Sequence, residues 1–231
     1  MMRHLVRLVA SGLTLLVFWH ISGAVAGWKQ DRETLFREGK RTPAIVRRVI
    51  DADTVSVDVR PWLDIKVEDV AVRIAGIDTP EKSGTGCTMH PLWHDGKVPD
   101  DVKAHENLLG CRATAFVAGT DAVKSKKCKA LLQGEPRQAG LLHPGDPVIL
   151  TEIHGGKYFG RVVGDLLYPV EGTKNPVVWQ SLAMKLYKEG MAVIYGARLK
   201  NGRLIEDRNA LTKGAWWCDG KTSKPPEEER D

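Results

Sequence analysis

Val70-Ala71-Val72-Arg73-Ile74-Ala75-Gly76-Ile77 is an apolar run broken only by Arg73, and Asp78-Thr79-Pro80-Glu81 follows it at once. The run has the β-branched content of a strand. Its end carries Asp78 and Glu81, with Pro80 stiffening the backbone between them. Charges at the end of a buried strand cost stability unless they meet a metal or a substrate. Such a strand also needs partners in a sheet.

Candidate partners lie on both sides of it. Residues 44–50 are β-branched and short enough for a strand, and Asp51-Ala52-Asp53 interrupts them. Residues 54–59 alternate apolar and polar with period two, the pattern of a half-buried strand. Residues 60–62 read as a turn or edge, and residues 65–77 as a third strand, so the connections are short and antiparallel. An irregular stretch, 82–103, precedes a helix expected over 104–123, with Leu109, Ala113, Phe116 and Val117 on one side. Residues 124–143 are basic, then loop-like. A fourth strand (148–153) and a fifth (158–167) flank the Gly155-Gly156 turn signal. A helix is expected over 176–188, stopped by Gly190, and a last short one over 203–213. Trp216-Trp217 is expected beneath the sheet. Five short strands with a helix after the third predict an α+β fold: a five-stranded OB-fold β-barrel with about three packed helices.

The ends of the chain read differently. Residues 1–7 hold Arg3 and Arg7 and no acid, residues 8–21 are apolar, and Ala24-Val25-Ala26 is a small-x-small site before Gly27. That layout predicts a signal peptide over 1–26, cleaved after Ala26, and therefore a periplasmic or secreted protein. His20 and the shortness of the apolar run argue against a retained anchor. A lead-in segment (27–42), the OB-type domain (43–218) and a disordered tail (219–231) follow. Removing Arg3 and Arg7 from the 34 basic residues leaves 32 against 29 acidic, a net +3. This mild excess permits a polyanionic partner without demonstrating one. The mature chain is expected to be a monomer with no stable membrane association. The 4 cysteines, Cys87, Cys111, Cys128 and Cys218, suit an oxidising compartment and two disulfides, in any of three pairings. Cys87, His90 and His94 do not have the spacing of a closed zinc site.

The charges can now be matched. Asp53 precedes the second strand and Asp78 ends the third. Neighbouring strands run about 4.8 Å apart, so two carboxylates at adjacent strand ends can grip one hard cation. The Thr79 carbonyl offers a third oxygen. Arg73 and Asp78 are five residues apart, a spacing that sends side chains to opposite faces of a regular strand. Convergence on one site therefore demands a bend, and Gly76 is the residue to make it. Arg161 on the fifth strand supplies a second guanidinium, and two arginines facing a cation site suit a phosphoryl group between them. Glu81, with no ion-pair partner evident in sequence, is a candidate base.

These residues resemble the staphylococcal nuclease (thermonuclease) family in three pieces: Val49-Ile50-Asp51-Ala52-Asp53-Thr54-Val55, then Arg73-Ile74-Ala75-Gly76-Ile77-Asp78-Thr79-Pro80-Glu81, then Lys157-Tyr158-Phe159-Gly160-Arg161. The resemblance spans residues 43–217 and keeps the order of strands and helix. It implies a Ca2+-dependent enzyme cleaving DNA and/or RNA to 3′-phosphate and 5′-hydroxyl ends. Asp53, Asp78 and the Thr79 carbonyl would ligate the metal, with Asp51 one layer behind. Glu81 would activate water, and Arg73 and Arg161 would stabilise the phosphorane. Tyr158 and Tyr195 fall where the family binds the nucleotide. The chain departs from the family at Ala52, usually Gly, at Gly156, usually acidic, and at Phe159, an extra residue. Its 82–103 segment is also long.

Two other readings use the same fold. One is a non-catalytic single-stranded nucleic-acid-binding module, and the other a metal-stabilised interaction domain. Neither gives Glu81 or the paired arginines a task.

Overall fold

The computed structural model describes residues 41–62, 65–93, 97–155, 161–170, 177–201, 203–207 and 215–219. The predicted signal peptide (1–26), residues 27–40 of the predicted lead-in, Tyr158, His94 and residues 220–231 of the predicted tail lie outside them. Apart from Arg41, the described residues belong to the second of two compact units, Thr42–Asp231.

Five strands close a barrel. They are β1 (Arg41–Asp51), β2 (Thr54–Trp62), β3 (Ile65–Ile74), β5 (Pro147–Gly155) and β6 (Arg161–Pro169), in the order β3-β2-β1-β5-β6. A parallel pairing of β3 with β6, Ala71 against Arg161 through Ile74 against Gly164, completes the ring. The architecture is α+β and OB-fold-like, as the strand pattern predicts. Inward residues alternate along each strand, with Val55 and Val57 from β2, Val72 and Ile74 from β3 and Leu166 from β6 all buried.

Helices cover this core. Helix α1 (Asp100–Ala118) starts four residues before the expected helix, directly after Pro99, with Asp100 and Asp101 in its first turn. Acids there suit the partial positive charge of a helix N-terminus. It stops at Gly119, which takes a φ of +85° that an L residue resists. Ala113 and Val117 of α1 join Leu182 and Leu186 of α3 (Leu182–Lys188) in the barrel core. A short α2 (Lys126–Leu131), absent from the sequence reading, is capped by the Ser125 hydroxyl, which accepts from Cys128 N.

The third predicted strand is in fact two pieces. It breaks at Ala75 and Gly76, and β4 (Ile77–Asp78) then pairs with β8 (Val193–Ile194) instead. Gly76 has a φ of +78°, and its O accepts from Tyr195 N at 3.0 Å. The bend demanded by the spacing of Arg73 and Asp78 is therefore present.

Other expectations are corrected. Residues 203–206 form a strand rather than a helix, with β10 (Arg203–Glu206) pairing β9 (Ala197–Lys200) as a hairpin. The missed signal is Asn201 before Gly202 in sequence, a hairpin dipeptide, and Asn201 takes a φ of +50°. The helix expected over 176–188 begins only at Leu182, and Trp179-Gln180-Ser181 before it makes β7 (Trp179–Ser181), which extends the sheet beside β6. Trp216 and Trp217 pack not under the sheet but with Cys87, Val98, Val102 and Cys218 against α1. His90 is buried, its Nε2 3.1 Å from Asp219 Oδ1. The disulfides are Cys87–Cys218 and Cys111–Cys128, which removes Cys87 from any metal set.

Candidate functional site

The site assembles where β1 turns into β2 beside the end of β3. Thr54 stands opposite Arg73 in the β2–β3 ladder, so Asp53 comes level with Ile74, whose N donates to Asp53 O at 2.8 Å. Ala52 in this turn is fully buried and does not take a positive φ, so the turn has no need of glycine there. The Asp53 side chain is only 3 % exposed. Its Oδ1 accepts from the Thr54 hydroxyl at 3.1 Å and its Oδ2 from the Thr79 hydroxyl at 2.8 Å.

One guanidinium joins the two candidate ligands. Arg73 Nη1 lies 2.8 Å from Asp53 Oδ2, while Nη2 donates to Asp78 Oδ1. The turn at Gly76 makes this possible. The bend is held from two directions: Ala75 N donates to Gly164 O at 2.9 Å, and Ala197 and Leu204 pack so closely on Gly76 that an added Cβ would sit 3.2–3.3 Å from them.

Asp51 ends β1, two residues before Asp53. Its Oδ1 accepts from Ala52 N and from the Thr114 hydroxyl of α1, both at 2.9 Å. Lys82 lies 3.6 Å from its Oδ2 and also donates to Ile50 O. Among the described residues Arg73 pairs with Asp53 and Asp78, Lys82 pairs with Asp51, and Glu81 makes no ion pair.

Burial is the main force raising the pKa values of these acids. Burial pushes the Glu81 carboxyl up to about 7, and the charges of Asp51, Asp53 and Asp78 push the same way. Burial also raises Asp78 against the pull of Arg73, and raises Asp51 against that of Lys82. Among the described residues nothing hydrogen-bonds the Glu81 carboxylate.

Arg161 opens β6 beside Ala71, one strand over and two residues from the position of Arg73. Tyr195 is 45 % exposed and anchored to the bend through its backbone. Tyr158 lies outside the described residues.

Sequence reasoning missed the face of α1 that carries the segment after Pro80. Glu106 and Asn107 hold that segment through its backbone, and Gly110 lies so close that an added Cβ would sit 2.5 Å from Pro80 O. The available signal was a polar stripe, Glu106, Gly110 and Thr114, four residues apart along a helix whose neighbouring positions are core.

As a donor set, Asp53, Asp78 and the Thr79 carbonyl offer only oxygen, which fits a hard cation. In this structure the Arg73 guanidinium reaches both carboxylates. Among the described residues no three of His, Cys, Asp and Glu gather in a metal-ligand arrangement. An ion here would therefore rest on two carboxylates, the carbonyl and water. Comparison with family models and with curated protein sequences finds no match to this chain.

Proposed function

We propose that this protein is an exported, Ca2+-dependent nuclease that hydrolyses phosphodiester bonds of DNA and/or RNA, leaving 3′-phosphate and 5′-hydroxyl ends. The observation that carries the reading is Glu81. It is a half-buried carboxylate with a pKa near neutrality and no hydrogen-bond partner among the described residues, beside two acids bridged by an arginine. A purely structural acid would be satisfied; a general base needs a free lone pair and a pKa near the working pH.

Asp53, Asp78 and the Thr79 carbonyl would hold Ca2+, which supplies positive charge beside the scissile phosphate. Glu81 takes the proton of the attacking water. A bond forms from the water oxygen to phosphorus as the bond to the 5′ oxygen breaks, and that oxygen takes a proton from solvent water to leave as the hydroxyl. Arg73 can turn one of its five donors from a carboxylate to a phosphoryl oxygen, and Arg161 supplies the second guanidinium. The exposed ring of Tyr195 offers a base a stacking surface. The resemblance to the staphylococcal nuclease family supports the same roles, and two disulfides among the described residues support export to an oxidising compartment.

The test is incubation of the purified mature protein with single-stranded DNA, with Ca2+ or with chelator, beside Glu81→Gln. Cleavage is expected only with Ca2+, and a fall on the order of 100-fold or more in the variant. Tight binding without cleavage under any divalent metal would overturn the enzyme reading in favour of a binding module.

A further inference from the structure

Glu106 takes no part in this chemistry, yet it is 1 % exposed, the most completely buried acid among the described residues. Its partners are neutral donors from a single stretch of chain. Gly86 N donates to its Oε1 at 3.0 Å and Glu81 N at 3.4 Å, while the Thr85 hydroxyl donates to Oε2. Beside it, Asn107 Nδ2 donates to Glu81 O at 3.0 Å and Gly84 O at 2.8 Å. Lys127 in turn donates to Asn107 Oδ1. One turn further along α1, Gly110 leaves no room for a side chain: a Cβ would lie 2.6 Å from the carbonyl carbon of Glu81.

Residues 81–86 belong to no helix or strand. Their backbone groups therefore need partners from elsewhere, and α1 provides them. Burying a carboxylate is unfavourable unless hydrogen bonds replace its water. Here those bonds all go to the segment that starts at Glu81.

We propose that Glu106 is the positioning residue for Glu81. By accepting N–H groups at both ends of the segment, it fixes the backbone from which the Glu81 side chain reaches the Asp53–Asp78 pair. The proposal rests on the nuclease reading, in which Glu81 is the base. Glu106 acts through the main chain, and its own carboxylate meets no reacting atom. The Cys87–Cys218 disulfide pins the far end of the segment independently. Loosening at Glu106 therefore frees the Glu81 end while the fold stays tied.

Two mild substitutions separate geometry from charge. Glu106→Asp keeps the charge and withdraws the carboxylate by one methylene. Glu106→Gln loses the charge but keeps an acceptor oxygen for Gly86 and Glu81, and turns its amide towards the Thr85 hydroxyl. With Ca2+ and single-stranded DNA, Glu106→Asp is expected to lower kcat on the order of 100-fold, with KM changed less than about threefold. Glu106→Gln is expected to stay within about tenfold of the wild-type kcat. Amide exchange at Glu81 and Gly86 is expected to quicken in Glu106→Asp and not in Glu106→Gln. Unchanged exchange in Glu106→Asp overturns the positioning role, as does quickened exchange with wild-type kcat. A larger loss in Glu106→Gln than in Glu106→Asp also overturns it, in favour of an electrostatic role. Wild-type protein that cuts nothing overturns the nuclease reading instead, while the exchange data still report whether Glu106 orders the segment.

Discussion

Asp165 and the group around Arg73 are both sets of carboxylate taken out of water, and the chain treats them in opposite ways. Asp165 stands alone on β6. Its Oδ1 accepts from Ser181 Oγ at 3.0 Å and from Leu166 N at 2.9 Å, and Ser181 Oγ accepts Met184 N at 3.2 Å to cap α3. That acid is a fastener between strand and helix. Asp51, Asp53, Asp78 and Glu81 are crowded instead, and among the described residues only Arg73 and Lys82 pair with them while the Glu81 carboxylate accepts no hydrogen bond. Burial raises the pKa at Asp165 and at Glu81 alike, to about 6 and about 7. The difference lies in the partners. Satisfied acceptors mark a structural acid, and surplus charge marks a place prepared for something the chain does not itself contain.

The sharpest way to break this contrast is to remove the guanidinium. Arg73→Gln leaves Asp53 and Asp78 facing each other without their cation. In metal-free buffer this is expected to cost about 3 kcal/mol, towards the low end for a broken buried pair because Asp78 is 40 % exposed. Ca2+ is expected to restore most of the loss and to raise the stability of the variant more than that of the wild type. Urea denaturation with and without Ca2+ measures both. An equal loss at saturating Ca2+ would mean that the acids serve Arg73 and no metal. A smaller effect is expected from Gly110→Ala. The new Cβ would sit 2.5–2.6 Å from the backbone of Pro80, Glu81 and Lys82, so the segment must lift off α1. Overpacking of this kind costs about 2 kcal/mol. Cleavage is expected to fall further than stability explains, since Glu81 moves with the segment. Wild-type cleavage in a folded Gly110→Ala protein would show that the seating of the segment is irrelevant to the site.

The barrel was readable because its strands carry their signal locally. Period-two alternation in residues 54–59 and β-branched runs on either side suffice to count strands. The bend at Gly76 was readable for a different reason: Arg73 and Asp78 cannot share a site across an odd spacing on a straight strand. The rest depends on contacts distant in sequence. Glu106 and Asn107 look like ordinary solvated helix residues until the 81–86 segment is laid across them. The pairing of Cys87 with Cys218 spans 131 residues and leaves no local trace. Residues 203–206 were mistaken for helix because the apolar pair Leu204-Ile205 is too short to reveal its period, whereas Asn201-Gly202 did carry the turn.

The gentlest test falls on the structural side of the contrast. The folded-state pKa of Asp165, about 6, lies above the value of 3.8 for a free aspartate, chiefly through burial. Glu152 adds repulsion, and the donors from Ser181, Leu166 and Ala183 pull the other way. An acid raised in this way binds its proton more tightly in the folded state than in the unfolded chain. It therefore detracts from stability once the pH exceeds about 6, and the penalty fades as the pH falls from about 6 towards 3.8. Asp165→Asn keeps an oxygen for Ser181 and removes the buried charge. At pH 8 it is expected to gain about 1 kcal/mol, less than the full shift would imply because a neutral amide is the weaker acceptor. By pH 4 the gain is expected to vanish, and urea denaturation at the two values reads the difference. A loss of equal size at both pH values would mean that the fastening at Asp165 needs a full charge. Burial would then not be enough to tell a structural acid from a functional one, and the case for Glu81 would rest on its carboxylate accepting no hydrogen bond among the described residues.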